Sequence, residues 1–258
     1  MATLVISGGT DGIGRALAVR YLRHDHTVVV IGRSKDKYDS LVAEAGRGTP
    51  HFVRADLRLV AENRRVAREV TTRFPTIDTL VLAAAYVHRD RVVTEEGFEH
   101  TFALYFLSRH ILATELRPSL VLDTTVPGAP KNAIRWDDLQ LTRDFSWRAA
   151  NLQTRRMGFL SALHSGDEHV RHVLYNPGFV RTSHQGALSR PARAFVSLLA
   201  KTLGTPPDKA IEPMVALIAD PPDEPLSMYA RHRKLPLTID DDDRAEADRL
   251  REVLTQCG

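Results

Sequence analysis

The chain has 258 residues, 43% hydrophobic and 26% charged, which allows a buried core and excludes a disordered polyelectrolyte. Its 35 basic and 32 acidic residues leave a formal charge of +3, too even a balance for a protein whose main partner is nucleic acid. The one cysteine, Cys257, excludes an internal disulfide, and no apolar run reaches the roughly 20 residues that span a bilayer. With no secretory leader pattern before the first strand, a cytoplasmic protein without stable membrane insertion is expected.

Short apolar runs alternate with longer segments of helical period, the signature of βαβ units. Leu4–Ile6 reads as a strand and Ile13–Leu22 as a helix. Thr27–Ile31 is a β-branched strand, followed by a polar helix over Lys37–Ala45. His51–Val53 reads as a third strand, Glu62–Phe74 as a helix and Thr79–Ala83 as a fourth strand. Phe98–Leu116 has the period of one long helix, followed by a strand at Ser119–Leu122 and a helix over Phe145–Leu163. Val170–Tyr175 is a sixth strand. Pro191–Leu203, Asp208–Ile218 and Arg244–Leu254 complete the helices. The pattern predicts one α/β domain over residues 1–258: a Rossmann-like, doubly wound parallel sheet in three α/β/α layers.

Two features invite a metal reading and do not sustain it. The run Asp240–Asp243 suits a helix N-terminus, where carboxylates cap free N–H groups and offset the macrodipole. His164, His169 and His172 are loosely spaced near a predicted loop and are expected to be solvated. No metal site is predicted.

The stretch Ser7-Gly8-Gly9-Thr10-Asp11-Gly12-Ile13-Gly14 lies between the first strand and the first helix. Gly8 allows a sharp turn, Gly12 lets the backbone approach a pyrophosphate, and Gly14 permits close helix–sheet packing. The helix N-terminus offers free N–H groups to phosphates. A dinucleotide site is therefore expected, with Thr10, Asp11 and Ile13 in its loop.

The spacing G-x-x-x-G-I-G resembles the fingerprint of the short-chain dehydrogenase/reductase family. The likeness runs over nearly the whole chain. Asp56, with Leu57 beside it, matches the family's adenine-contacting Asp, and Ala83 and Ala84 stand in the cofactor-bordering turn after the fourth strand. Asn176-Pro177-Gly178-Phe179-Val180-Arg181-Thr182 is similar to the P-G-x-V-x-T segment, which implies that Pro177, Gly178, Val180 and Thr182 lie against a nicotinamide. Gly97-Phe98-Glu99 and Trp136-Asp137-Asp138-Leu139-Gln140 resemble the retinol-dehydrogenase-like branch. Arg33 and Ser34 end the second strand where an acidic residue would select NAD, and Arg suits the 2′-phosphate of NADP. Asp11, standing where many NADP-preferring relatives are basic, points the other way. NADP(H) is the expected cofactor.

The resemblance also implies a Tyr-x-x-x-Lys pair, a Ser and an upstream Asn, and here the chain departs from its relatives. Thr125 matches the Ser, with Thr124 as the neighbouring alternative. Asn151-Leu152-Gln153-Thr154-Arg155 fills the place of Tyr-x-x-x-Lys. Arg155 retains a charge for ribose hydroxyls, but Asn151 cannot release a proton near neutral pH. Leu82-Ala83-Ala84-Ala85 replaces N-N-A-G, and Tyr105 stands at the helix Asn. Tyr105 is either a core aromatic or a relocated acid, and Tyr86 is a second candidate acid at the end of the fourth strand.

Three readings follow. The first is an NADPH-dependent ketoreductase with a non-standard catalytic site, acting on a bulky apolar or aromatic carbonyl compound. The others are a non-redox enzyme (cyclase, dehydratase or isomerase) and a non-catalytic NADP-binding regulator. The retained N-P-G-x-V-x-T segment favours the first. Residues 183–203 are expected to form a lid over a small-molecule substrate or to pack on the core. Relatives form dimers or tetramers through helices corresponding to Phe98–Leu116 and Phe145–Leu163, which implies a homodimer or homotetramer here.

Overall fold

A computed structural model describes residues 1–163, 170–180 and 204–256. The expected lid at 183–203, Thr182, His164, His169 and Cys257 lie outside the described residues. Within them the strands are β1 (Thr3–Ser7), β2 (Thr27–Gly32), β3 (Thr49–Arg54), β4 (Thr79–Leu82), β5 (Leu120–Thr124), β6 (Arg171–Asn176), β7 (Leu226–Ala230) and β8 (Arg233–Leu235). They form one sheet in the order β3-β2-β1-β4-β5-β6-β7-β8, parallel except for the β7–β8 pair. The chain starts at β1, winds outward to β3, and then resumes on the other side of β1 at β4. That reversal is the switch point of a doubly wound sheet, where a crevice opens at the strands' C-terminal ends.

Alternation along each strand divides the core between the two faces of the sheet. Leu4 and Ile6 pack with Leu17 and Leu22 of α1 (Gly12–Leu22), Leu41 of α2 (Lys35–Ala45) and Met214. Val5 and Ile31 pack on the opposite face with Val66 and Val70 of α3 (Val60–Arg73) and Leu112. Burial on both faces explains why β1, β2 and β4 read as continuous apolar runs rather than alternating ones.

The segment expected as one helix over Phe98–Leu116 differs in the structure. It begins as α4 (His100–Phe102), widens into a π-turn over Ala103–Leu107, and continues as α5 (Ser108–Leu116). The Glu99 carboxylate caps its start by accepting from Phe102 N at 2.8 Å. A hydrophobic period does not distinguish α from π winding over one turn, so the break leaves no mark in the residue pattern. Helix α6 (Trp147–Leu163) follows the loop after β5. The short helices α7 (Pro207–Ala210) and α8 (Glu212–Ala219) lead to the β7–β8 hairpin, which the sequence reading missed because its strands are short and half exposed.

The last helix, α9 (Asp241–Gln256), packs on α6 and the π-turn through Ala247, Leu250, Met157, Leu160 and Phe106. The acidic run opens it as expected. Asp240 N donates to Asp243 Oδ2 at 3.1 Å, and Asp243 N returns the bond to Asp240 Oδ1 at 3.0 Å. Asp243 also anchors the helix: Arg156 of α6 reaches its Oδ1 at 2.6 Å and Glu246 Oε2 through Nε at 3.0 Å. No helix among the described residues is long and apolar enough to cross a membrane.

His172, expected in a solvated loop, is instead buried on β6 with its Nε2 unpartnered among the described residues. Burial pulls its pKa down to about 4. An unfolded histidine titrates near 6.5, so on acidification the unfolded state takes its proton first. The stability this residue contributes is therefore complete at neutral pH and is lost as pH falls from about 6.5 to 4, by about 3 kcal/mol in full. His172→Leu is expected to lose less Tm than the wild type between pH 7 and pH 4.5 in circular dichroism melts. Equal losses in the two proteins would count against a neutral, buried His172.

Candidate active site

A cleft of about 850 Å³ opens at the switch point. Its floor is the loop between β1 and α1, contributed by Gly8, Thr10, Asp11, Gly12 and Ile13. Gly8 sits at φ +68°, and a Cβ there would lie 2.7 Å from the backbone N and Cα of Ala84. Gly14 lies behind the cleft and packs on the loop: its Cβ would meet Gly8 O at 2.6 Å. Asp11 caps α1 by accepting from Gly12 N at 2.7 Å. The glycines thus bring the helix N-terminus against the strand ends with no side chain between.

Arg33, Ser34, Asp56, Leu57, Ala83, Ala84 and Tyr86 line the cleft as well. Lys37 joins them there and is ion-paired with Asp11. By sequence alone Asp11 counts against a 2′-phosphate. In the fold this carboxylate is matched by a lysine one helical turn past Ser34, which caps α2. Arg33 lies over the Tyr86 ring with Cζ 5.7 Å from its centroid. Asp56 is gripped by Arg58, whose Nε donates to Oδ1 at 3.0 Å. Burial would raise the Asp56 carboxyl, but the hydrogen bonds from Arg58 prevail and hold it below its usual range. Beneath this loop the buried Asn63 donates to the carbonyls of Leu57 and Leu59 at 2.9 and 2.7 Å and accepts from Ser108 Oγ at 2.8 Å.

His100 also lines the cleft and escaped the sequence reading. Its Nε2 lies 2.8 Å from Tyr86 O, its Nδ1 is buried without a partner among the described residues, and burial lowers its pKa to about 4. It is a neutral imidazole beside the candidate Tyr86.

Thr125, Tyr105, Asn151 and Arg155 line the same cleft, beside Pro177, Gly178 and Val180. Thr124 spends its hydroxyl on Leu82 O at 2.8 Å, whereas Thr125 makes no side-chain hydrogen bond to another described residue. Of the two, Thr125 has the hydroxyl to offer. Arg155 donates through Nη2 to Pro127 O at 3.3 Å, and its Nε bonds Val126 O, so its guanidinium braces the loop after β5. The phrases of the retinol-dehydrogenase-like branch meet in space: Glu99 N donates to Gln140 Oε1 at 2.7 Å.

Arg109 was not anticipated. It is buried on α5, ion-paired with the buried Asp123 of β5, and donates to Thr124 O at 3.1 Å and Ala84 O at 3.3 Å. Its Cζ stands 5.4 Å from the centroid of the Tyr105 ring. The i, i+4 spacing of Tyr105 and Arg109 is visible in the sequence, but it falls on a different helix from the Tyr-x-x-x-Lys motif, whose place is on α6.

A family model described as short chain dehydrogenase matches residues 2–125, from β1 to Thr125. A Streptomyces protein with the provisional name daunorubicin C-13 ketoreductase DnrU is 30% identical over 190 residues, covering 70% of this chain and 66% of its own. The chain belongs to the short-chain dehydrogenase/reductase family. Human polyprenol dehydrogenase is 24% identical over 227 residues, which cover 80% of this family member and 68% of the human chain. Human retinol dehydrogenase 13 is 25% identical over 165 residues, 59% of this chain and 50% of the human one. The chain spans just under two thirds of the length of the Streptomyces relative and 61% of an uncharacterized oxidoreductase from Saccharomyces cerevisiae. A solved short-chain dehydrogenase from Sphingobium yanoikuyae in complex with NADPH shares the fold at TM-score 0.62 and 19% identity, covering 99% of this short-chain dehydrogenase/reductase and 95% of that one.

Proposed function

We propose that the protein is an NADPH-dependent ketoreductase with a non-standard catalytic site, acting on a bulky apolar or aromatic carbonyl compound. One observation carries this reading: a single cleft is lined by a glycine cradle, by the basic Arg33 and Lys37, and by the polar side chains of Thr125, Tyr105 and Asn151. A dinucleotide fits the cradle, because Gly8 and Gly14 leave the helix N-terminus open to a pyrophosphate where any Cβ would strike backbone. Arg33, Ser34 and Lys37 would hold a 2′-phosphate, and Asp56 and Leu57 the adenine. Pro177, Gly178 and Val180 would border the nicotinamide, with Thr182 following them in sequence. When bound, the reduced nicotinamide supplies a hydride. The chain's own task is to place a carbonyl carbon against it and to deliver a proton to the oxygen. Thr125 would donate a hydrogen bond to that oxygen, while Asn151 is restricted to orienting it. The provisional name of the Streptomyces relative, daunorubicin C-13 ketoreductase, supports a ketone as the reacting group.

A second reading, a cofactor-binding protein with no redox step, draws on α6. There Asn151 replaces an acid, and Arg155 is tied to loop carbonyls. The deciding experiment is a fluorescence titration with NADPH and NADH, followed by a screen of aromatic ketones for NADPH consumption. Arg33→Ala is expected to weaken NADPH about 30-fold by removing charge-assisted bonds to the 2′-phosphate, and to leave NADH within twofold. Tight binding with no ketone reduced would favour the second reading. No binding of either nucleotide would overturn both.

A further inference from the structure

We propose that Tyr105 is the proton donor of this reduction and that Arg109 is the cation that positions it, the two forming a tyrosine–cation pair on the π-turn and α5. The proposal rests on the ketoreductase reading above. Tyr105 and Arg109 are four residues apart, a spacing that stacks side chains on one face of a helix. In the structure the guanidinium lies over the phenol ring with Cζ 5.4 Å from its centroid, and the ring borders the cleft.

The alternatives are placed less well. Asn151 has no acidic proton and Thr125 only an alcohol. The Tyr86 ring lies under Arg33, the residue that would hold the 2′-phosphate. Arg109, by contrast, bonds the carbonyls of Thr124 and Ala84. It therefore ties the turn before Thr125 to the end of β4 while it faces Tyr105.

A purely structural role explains the pair poorly. Removing a guanidinium and a carboxylate from water is costly, and apolar residues of similar volume commonly stabilise a core as well or better. Arg109 is only 7% exposed and its Nε has no partner among the described residues, so the cost is not fully offset by hydrogen bonds. Burial pushes the Tyr105 phenol up, and the Arg109 guanidinium, with the backbone N–H of Tyr86, opposes that rise. Asp123 keeps the guanidinium in position.

The step is a proton transfer. As the carbonyl carbon accepts hydride, its π electron pair moves to oxygen. The Oη–H bond of Tyr105 breaks, a new O–H bond forms on the substrate, and the electron pair left on Oη is a phenolate beside Arg109. Water returns the proton.

Two measurements test this. Single variants of a buried pair can fail to fold, so the pair is replaced together, as Arg109→Met/Asp123→Leu, which strands neither charge of the pair. Treatment with tetranitromethane at pH 8, read by peptide mass spectrometry, reports phenolate reactivity with no carbonyl substrate present. Tyr105 is expected to be nitrated at least tenfold more slowly in the double variant, with Tyr229 unchanged as the internal control. In kinetics, Tyr105→Phe is expected to lower kcat about 100-fold with KM within twofold. The double replacement should lower kcat at least tenfold less in the Tyr105→Phe background than in the Tyr105 background, because the larger part of its effect passes through the phenol and only the smaller part through the ties to Thr124 and Ala84. Additive losses, or a Tyr105 nitration rate unchanged in the double variant, would overturn the pairing. Absence of ketone reduction by the wild type would overturn the ketoreductase reading and the donor role with it.

Discussion

Replacing Gly8 with alanine is expected to weaken NADPH binding at least 100-fold, about 2.7 kcal/mol, in a protein that still folds. Two costs coincide at this residue. Its φ of +68° puts a side chain in the left-handed region, which costs roughly 1–2 kcal/mol. The new Cβ would also lie 2.7 Å from Ala84 N and Cα and 2.9 Å from Ala83 C, so the end of β4 must move. Both neighbours line the cleft, and the displacement falls where the dinucleotide would lie. Gly46→Ala is the matched control. Its φ is +70°, but a Cβ there meets nothing within 4 Å. It should show the backbone strain as a small loss of Tm and leave the NADPH Kd unchanged. Equal Kd values for Gly8→Ala and wild type would remove the nucleotide from this cleft.

The second large effect concerns stability. Arg156→Met should lower Tm on the order of 10 °C, because it leaves the buried Asp243 with no cation nearer than Lys131, whose Nζ is 4.0 Å from Oδ1. Breaking one partner of such a pair costs about 3–5 kcal/mol, and a chain of this size loses roughly 2–4 °C per kcal/mol. Adding Asp243→Asn should recover much of the loss, since the amide oxygen still caps α9 and no charge is stranded. If Arg156→Met melts with the wild type, α9 is held by its apolar face alone. The same comparison bears on the cleft: α6 carries Arg156 toward α9 and Asn151 and Arg155 toward the site, so a loosened α9 should also raise the NADPH Kd.

The parallel sheet and its switch point were legible because buried strands carry an unbroken apolar signal and the glycine loop has a fixed place after β1. Among the described residues, those expected to bind a cofactor or act in catalysis line one cleft, apart from Gly14. What the sequence hid depends on contacts between distant segments. Lys37 matters because α2 folds back toward Asp11, and Arg109 because α5 lies against β5. His172 looked like one of several surface histidines, since its burial comes from the layers packed on β6. Burial of a single polar side chain leaves no periodic trace.

The π-turn over Ala103–Leu107 carries a consequence for how the site can change. Each residue of a helix advances the winding by about 100°, so the direction in which Tyr105 points is set by the number of residues in this turn. A substitution that leaves the count alone preserves the phase between α4 and α5. Loss of one codon within 103–107 would rewind the turn as α-helix and swing His100 and the Glu99 cap away from the cleft while Arg109 stays against Asp123. In mutational terms the arrangement tolerates point changes and is broken by the smallest in-frame deletion.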